Sequence, residues 1–218
     1  MTYLEIVNEV LKRLREDTVI TVTANSYSEL IGSFTKQAYI ECSNAYDWPE
    51  LDEAIESAVT ASDTSFTITT GDSGEGVHDV HSIYNVTDDC FLRSAPYKWV
   101  RDRLSAYDEQ NKPTHYAYGG ETADGTTTVH LYPTVDGSYT LRTSFNRKPD
   151  MNNTFNDSTF IKMPELPVIL KAYALAVSER GEDGGMNYNE MDNMAREALS
   201  DAIALYDNNH NGTQWYAN

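Results

Sequence analysis

Thr64-Ser65-Phe66-Thr67-Ile68-Thr69, followed by Gly71-Asp72-Ser73-Gly74-Glu75-Gly76, is the stretch on which the fold turns. Polar and apolar side chains alternate there with a period of two and β-branched residues dominate, the pattern of a half-buried strand, and the glycine-rich run supplies a turn. Upstream the period is helical. Thr2 and Glu5 stand at the spacing of a capping box, and Leu4, Val7, Val10, Leu11 and Leu14 predict a first helix ending near Asp17. Ser26 with Glu29 forms a second box. It opens a longer helix whose apolar stripe is Leu30, Ile31, Phe34, Ala38, Cys42 and Ala45, stopped by Pro49 just after Trp48.

Downstream of the turn, further strands are expected over 77–86, 114–118, 127–132 and 139–147, with Asp124-Gly125 and Asp136-Gly137 as the turns of a meander. One short helix interrupts them: Pro96 suits a first helical position, and Trp99, Val100, Leu104 and Tyr107 share a side. After Pro149 comes an Asn/Asp-rich connection, and Pro164-Glu165-Leu166-Pro167 sets up a third long helix. Its inner face is Ile169, Ala172, Tyr173 and Ala176, and Gly181-Glu182-Asp183-Gly184-Gly185 ends it. Asn187 with Glu190 caps a fourth, with Met191, Met194, Ala195, Ala198, Ala202 and Leu205 facing inward. Beyond Tyr206 the run Asp207-Asn208-Asn209-His210-Asn211-Gly212 is read as ending the helix, leaving a tail.

The expected fold is therefore α+β: a four-helix bundle formed by the N- and C-terminal helices, with an inserted antiparallel β-rich domain and an extended C-terminal tail. The corresponding segments are 1–50 and 161–208 for the bundle, 51–160 for the insertion with its short helix, and 209–218 for a C-terminal arm.

At 218 residues the chain buries a real core without a disulfide or metal. Cys42 and Cys90 lack metal-ligand spacing and read as reduced thiols of a cytosolic product. The start at Met1 shows no secretory signal, and no run of about 18 apolar residues exists, so no membrane partner is expected and the Asn-x-Thr triplet at Asn85 carries no glycosylation meaning. The formal charge of -18 is unevenly placed, with nine acids and one base between Leu51 and Arg93. Such a field repels phosphate and disfavours groove-reading DNA binding, yet suits contact with double-stranded DNA that slides past without sequence-specific adhesion.

The chemistry-bearing motifs dissolve on inspection. Gly71-Asp72-Ser73-Gly74 looks like the nucleophile segment of chymotrypsin-like serine proteases, but His78, His81, His115, His130 and His210 all follow Ser73, against that family's order. His78 and His81 with Asp79, Asp88 and Asp89 suggest a metal site, but an i, i+3 pair on a strand points to opposite faces. Asp88-Asp89 reads as a solvated turn. Gly71 to Gly76 lack the Lys-Ser/Thr of a phosphate loop, and Met186, Met191 and Met194 fill core. No catalytic residue, cofactor or metal is expected. Trp215 and Tyr216 differ: large aromatics in a polar terminus are typical interface anchors. With His210 and Gln214 they make a candidate partner-binding arm.

Lys112-Pro113-Thr114-His115-Tyr116, Val129-His130-Leu131-Tyr132-Pro133, Asp136-Gly137-Ser138-Tyr139-Thr140-Leu141-Arg142 and Arg147-Lys148-Pro149 together resemble the head-to-tail adaptor (connector, head-completion) proteins of tailed bacteriophages. The opening Thr2-Tyr3-Leu4-Glu5-Ile6-Val7, Tyr46-Asp47-Trp48-Pro49, the Leu166-Pro167 helix start and Glu179-Arg180-Gly181-Glu182 resemble that family too, in the same order. The resemblance implies a non-enzymatic virion protein at the head-tail junction, made in the bacterial cytoplasm. It would form a homo-oligomeric ring, commonly of twelve, that docks on the portal, receives the tail nozzle or tail tube and continues the DNA channel. Independently of the resemblance, Trp215 and Tyr216 in an otherwise solvated terminus make the arm of His210, Gln214, Trp215 and Tyr216 the expected portal-binding element. The alternatives are another virion component (tail tube, nozzle or baseplate) and a carbohydrate-binding β module using Tyr84, Tyr97, Trp99, Tyr116 and Tyr118. The acidic segment from Glu50 to Asp89 and the aromatic tail depart from the family's pattern.

Overall fold

The computed structural model describes residues 1–68, 77–121, 126–147, 155–181 and 186–210. The chain forms two compact units, Met1–Tyr46 with Phe155–Asn218, and Asp47–Thr154. Five helices run α1 (Tyr3–Arg13), α2 (Ser26–Ser43), α3 (Tyr97–Ala106), α4 (Glu165–Arg180) and α5 (Met186–His210) among the described residues, and only α3 lies in the second unit. The fold is mixed α+β.

In the first unit α4 is the hub: α1, α2 and α5 each pack on it, and α1 also packs on α2. The Thr2–Glu5 capping box forms, Glu5 N donating to Thr2 Oγ1 at 3.3 Å and Thr2 N to Glu5 Oε2 at 2.8 Å. Helix α1 ends at Arg13, earlier than Asp17, because Arg15 turns left-handed at φ 61°. Arg15 N then bonds the Lys12 carbonyl and Glu16 N the Leu11 carbonyl, a Schellman closure with arginine where glycine is usual.

The cap of α2 lies one residue earlier than expected. Asn25, not Ser26, accepts from Ser28 N at 2.8 Å, and Ser28 Oγ accepts from Asn25 N at 3.2 Å, so the box pairs Asn25 with Ser28 rather than Ser26 with Glu29. The buried face is rotated as well. It includes Ser28, Gly32 and Thr35, while Leu30 and Phe34 are half-exposed and Ala45 is exposed. Ser28 Oγ donates to the Val22 carbonyl and Thr35 Oγ1 to the Ile31 carbonyl, which makes their burial tolerable. At Gly32 a Cβ would lie 2.4 Å from the Tyr3 hydroxyl, so the glycine lets α1 and α2 approach. The helix stops at Ser43 rather than Trp48, because the residue before Pro49 is driven to extended backbone and Trp48 sits at ψ 124°.

Helix α4 follows the reading at Ile169, Ala172 and Ala176, which are buried, and at Gly181, left-handed at φ 63° as its cap, whereas Tyr173 is only half-buried. Helix α5 departs from it twice. It begins at Met186, placing Asn187 inside the helix rather than at its cap, and it continues through Asp207 to His210. Asp and Asn cost only about 0.5–0.7 kcal/mol each in a helix interior, too little to break one as Pro would. Of the six residues expected inward only Ala195 is buried; Met191, Ala198 and Ala202 are half-buried, and Met194 and Leu205 are 45% and 61% exposed.

The second unit carries β1 (Asp52–Val59), β2 (Ser65–Ile68), β3 (Val77–Asn85), β4 (Cys90–Phe91), β5 (Arg93–Ser94), β6 (Gln110–Asn111), β7 (His115–Glu121), β8 (Thr127–Tyr132), β9 (Thr134–Val135) and β10 (Tyr139–Arg147). They do not form a meander. One sheet runs β1-β10-β3-β4, the other β2-β8-β7-β5, and β6 pairs with β9. The insertion is not wholly antiparallel either: β5–β7 and β6–β9 are parallel. Inward-facing Val59, Ile83, Leu141 and Phe145 from the first sheet meet Phe66, Ile68, Tyr116, Val129 and Leu131 from the second in one core. The strand Asp52–Val59 is absent from the sequence reading. It pairs along its whole length with β10, from Asp52 opposite Asn146 to Val59 opposite Tyr139.

Candidate functional site

The arm named from sequence is only partly visible. His210 ends α5, whereas Gln214, Trp215 and Tyr216 lie outside the described residues, as does the Gly71-Asp72-Ser73-Gly74 turn. What the structure does describe is α5, the helix that precedes Gln214, Trp215 and Tyr216 in the chain. By rise per residue α5 is about 37 Å long and α4 about 24 Å. The two are joined end to end, so the last turns of α5 outrun α4. From Ala198 onward no described side chain is buried: Leu199, Ala202, Ile203 and Tyr206 are half-exposed along a stripe of helical spacing.

The base of α5 is fixed electrostatically. Asp192, buried on α5, accepts from Lys171 Nζ of α4 at 2.8 Å and from Arg196 Nε at 2.8 Å, and Lys171 also pairs with Glu41 of α2 at 3.1 Å. The hydrogen bond from Lys171 holds the Asp192 carboxyl below its ordinary range, against the opposing effect of burial. Burial lowers the Lys171 pKa, but its bonds to Asp192 and Glu41 outweigh that and raise it. Beside this knot a small cleft of about 270 Å³ is lined by Glu41, Cys42, Ala195 and Leu199. Burial pushes the Cys42 thiol up to about 12, so the group remains an unreactive thiol.

In the second unit α3 lies on the outer face of the β2-β8-β7-β5 sheet. Alternation sends Tyr116 inward to the core and Ala117 outward, where Val100, Trp99 and Leu104 of α3 cover Ala117 and Tyr132. The two central histidines are held there by aromatic contacts. Trp99 lies 5.0 Å from the His115 ring and 5.4 Å from Tyr132, and Tyr97 lies 5.1 Å from His130. Burial, helped by the charge of Arg93, lowers the His115 pKa. The outward side of α3 is basic and aromatic. Arg103 spreads over Trp99 at 5.3 Å and Tyr107 at 5.2 Å, and Arg101 over Tyr97 at 6.0 Å. Lys98, Arg101 and Arg103 form no ion pair with a carboxylate among the described residues.

The outer face of the β1-β10-β3-β4 sheet has the opposite character. Registration places Glu56, Arg142, Tyr84 and Phe91 in one cross-strand row. Tyr84 stacks on Phe91 at 5.0 Å and donates to Asp89, and Phe91 is 69% exposed. Asp52, Glu56, Asp88 and Asp89 are exposed on this face and its closing turn, against the single base Arg142 among the described residues there. Of the aromatics considered as a sugar platform, Tyr116 is buried in the core, Tyr84 stands on this sheet, Tyr97 and Trp99 belong to α3 over the other, and Tyr118 on β7 is 40% exposed. Among the described residues no group of three or more His, Cys, Asp or Glu is placed to hold a metal, and no helix is long and apolar enough to cross a membrane.

The described residues thus present a basic-aromatic face, an acidic face and a helix whose last turns bury no described side chain. The SU10 adaptor protein family model matches residues 1–216. No curated protein matches the sequence.

Proposed function

Since this chain belongs to the SU10 adaptor protein family, a family of phage head-to-tail adaptors, we propose that it acts as one copy of a ring, of twelve by the family's habit, seated between portal and tail. The observation that carries this reading is the extent of the match, which spans the helical unit, the β unit and both connections between them. In the ring the four helices of the first unit close into a bundle that forms the body. The protein completes the head, receives the tail nozzle or tail tube, and continues the DNA channel without catalysing a reaction.

The charge supports this role. A subunit of formal charge -18 lines a passage from which a polyanion slides freely, because like charge prevents adhesion. The portal-binding element is the arm that follows α5, with Trp215 and Tyr216 as anchors and His210 and Gln214 beside them. Removing residues 209–218 is expected to weaken portal binding at least about 30-fold, the worth of one aromatic anchor of roughly 2 kcal/mol, while circular dichroism of the remaining chain stays unchanged. Undiminished docking of the truncated protein would rule the arm out. Electron microscopy of purified particles tests the reading as a whole: density for a ring of this chain between portal and tail is expected. Placement in the tail tube or baseplate would make it a different structural component, and absence from particles would end the adaptor assignment.

A further inference from the structure

We propose that in the assembled ring the α3 face of one copy docks on the outer face of the β1-β10-β3-β4 sheet of the next copy, pairing Lys98, Arg101 and Arg103 with Asp52, Glu56 and Asp89. The proposal rests on the adaptor reading and adds to it the surfaces by which neighbours meet.

The span from Arg93 to Lys112 holds Arg93, Lys98, Arg101, Arg103 and Lys112 against Asp102, Asp108 and Glu109, a net of +2 (five minus three) within a chain of -18. A basic island on so acidic a molecule is attracted to the acidic surface of another copy, and its cations are not neutralised by carboxylates of their own chain among the described residues. Asp102 is the one acid on α3 itself and leaves the helix net basic.

Both sheets face one core, and α3 covers the outside of one of them, so the basic and acidic faces lie on opposite sides of the same unit. A head-to-tail ring needs this: two different, complementary patches on nearly opposed sides, so that each copy offers one face to each neighbour. A two-fold dimer would instead need a single self-complementary patch. Tyr97 and Tyr107 are 42% and 53% exposed on the basic side and Phe91 is 69% exposed on the acidic side. Arginine and aromatics are enriched at protein interfaces, and exposed side chains of this size on both faces supply the apolar contact that charge alone does not.

The test uses particles grown from a phage whose only source of this protein is a plasmid. Reversal with Lys98→Glu and Arg101→Glu is expected to reduce incorporated copies at least about tenfold, since like charges then oppose across each junction. Adding Asp52→Lys and Glu56→Lys to the same chain should restore incorporation. Incorporation of the first variant at the wild-type level overturns the proposal, also if those particles leak DNA, a result that would assign α3 to DNA instead. A second measurement does not depend on how the charge variants fold. A chain with Ala54→Cys and Ser105→Cys, neutral exposed positions on the two faces, and with Cys90→Ser, should on oxidation in particles give a ladder of linked multimers; monomer alone overturns the pairing. Should the wild-type chain itself be missing from particles, the adaptor reading fails, a result distinct from every outcome above.

Discussion

Phe145→Ala is expected to destabilise the protein by about 3–5 kcal/mol, the range for deleting a buried aromatic from a packed core. Phe145 is 1% exposed and lies on β10, the strand flanked on both sides in its sheet by β1 and β3. Its ring is part of the core shared with Leu141, Ile83 and the inward residues of the facing sheet. Because the two sheets clamp the cavity, neither can collapse into it without disturbing the β1–β10 and β10–β3 registers, so little of the loss is recovered by relaxation. Urea unfolding gives the free energy, and amide exchange along β1, β3 and β10 should accelerate together. A loss under about 1 kcal/mol would show that the sheets do not pack as described.

Asp192→Ala should cost about 2–3 kcal/mol near neutral pH. This is less than the usual penalty for orphaning a buried charge, because Lys171 keeps Glu41 and remains partly solvated. The pH dependence distinguishes an ionic knot from mere packing. In the folded protein the Asp192 carboxyl is held below its ordinary range, chiefly by the hydrogen bond from Lys171, so its contribution is complete above the unfolded value of about 4 and is lost as pH falls through the folded value. The Lys171 pKa is raised despite burial, because its bonds to Asp192 and Glu41 outweigh that. Its contribution is complete below the unfolded value of about 10.4 and disappears as pH rises through the folded one. The stability gap between wild type and variant should therefore be flat across the neutral range, close as acid protonates Asp192, and narrow without closing in alkali, where Arg196 still pairs with Asp192. A gap that persists unchanged at pH 2 would mean that Asp192 acts by shape, not charge.

Local chemistry was legible in the sequence, and long-range pairing was not. The Thr2–Glu5 box, the Gly181 cap, the presence of α3 beside Pro96 (its N-cap, not the first helical residue expected) and the strands 127–132 and 139–147 each depend on neighbours in the chain. The strand Asp52–Val59 does not. Three acids and two alanines in eight residues give it weak intrinsic preference, and it exists because β10 pairs with it from almost 90 residues away. The same holds for the two-residue strands and for the arrangement of two sheets. On α2, Asn25 and Ser26 are equivalent as caps by type, and only the bonds decide between them. The basic and acidic faces were hidden for a similar reason. The unevenness of charge could be counted, but its division between the two sides of one unit follows from which sheet α3 covers.

The overhang of α5 has a thermal consequence. A helix held at its root by Asp192 and Ala195, with no described side chain buried from Ala198 to Asp207, should melt from the tip, its amides protected strongly near the root and progressively less toward the end. Whatever seizes that tip would first suppress fraying, so part of the binding free energy goes into ordering the last turns. Docking would then be felt along α5 as a stiffening that travels inward, ahead of any movement of the core.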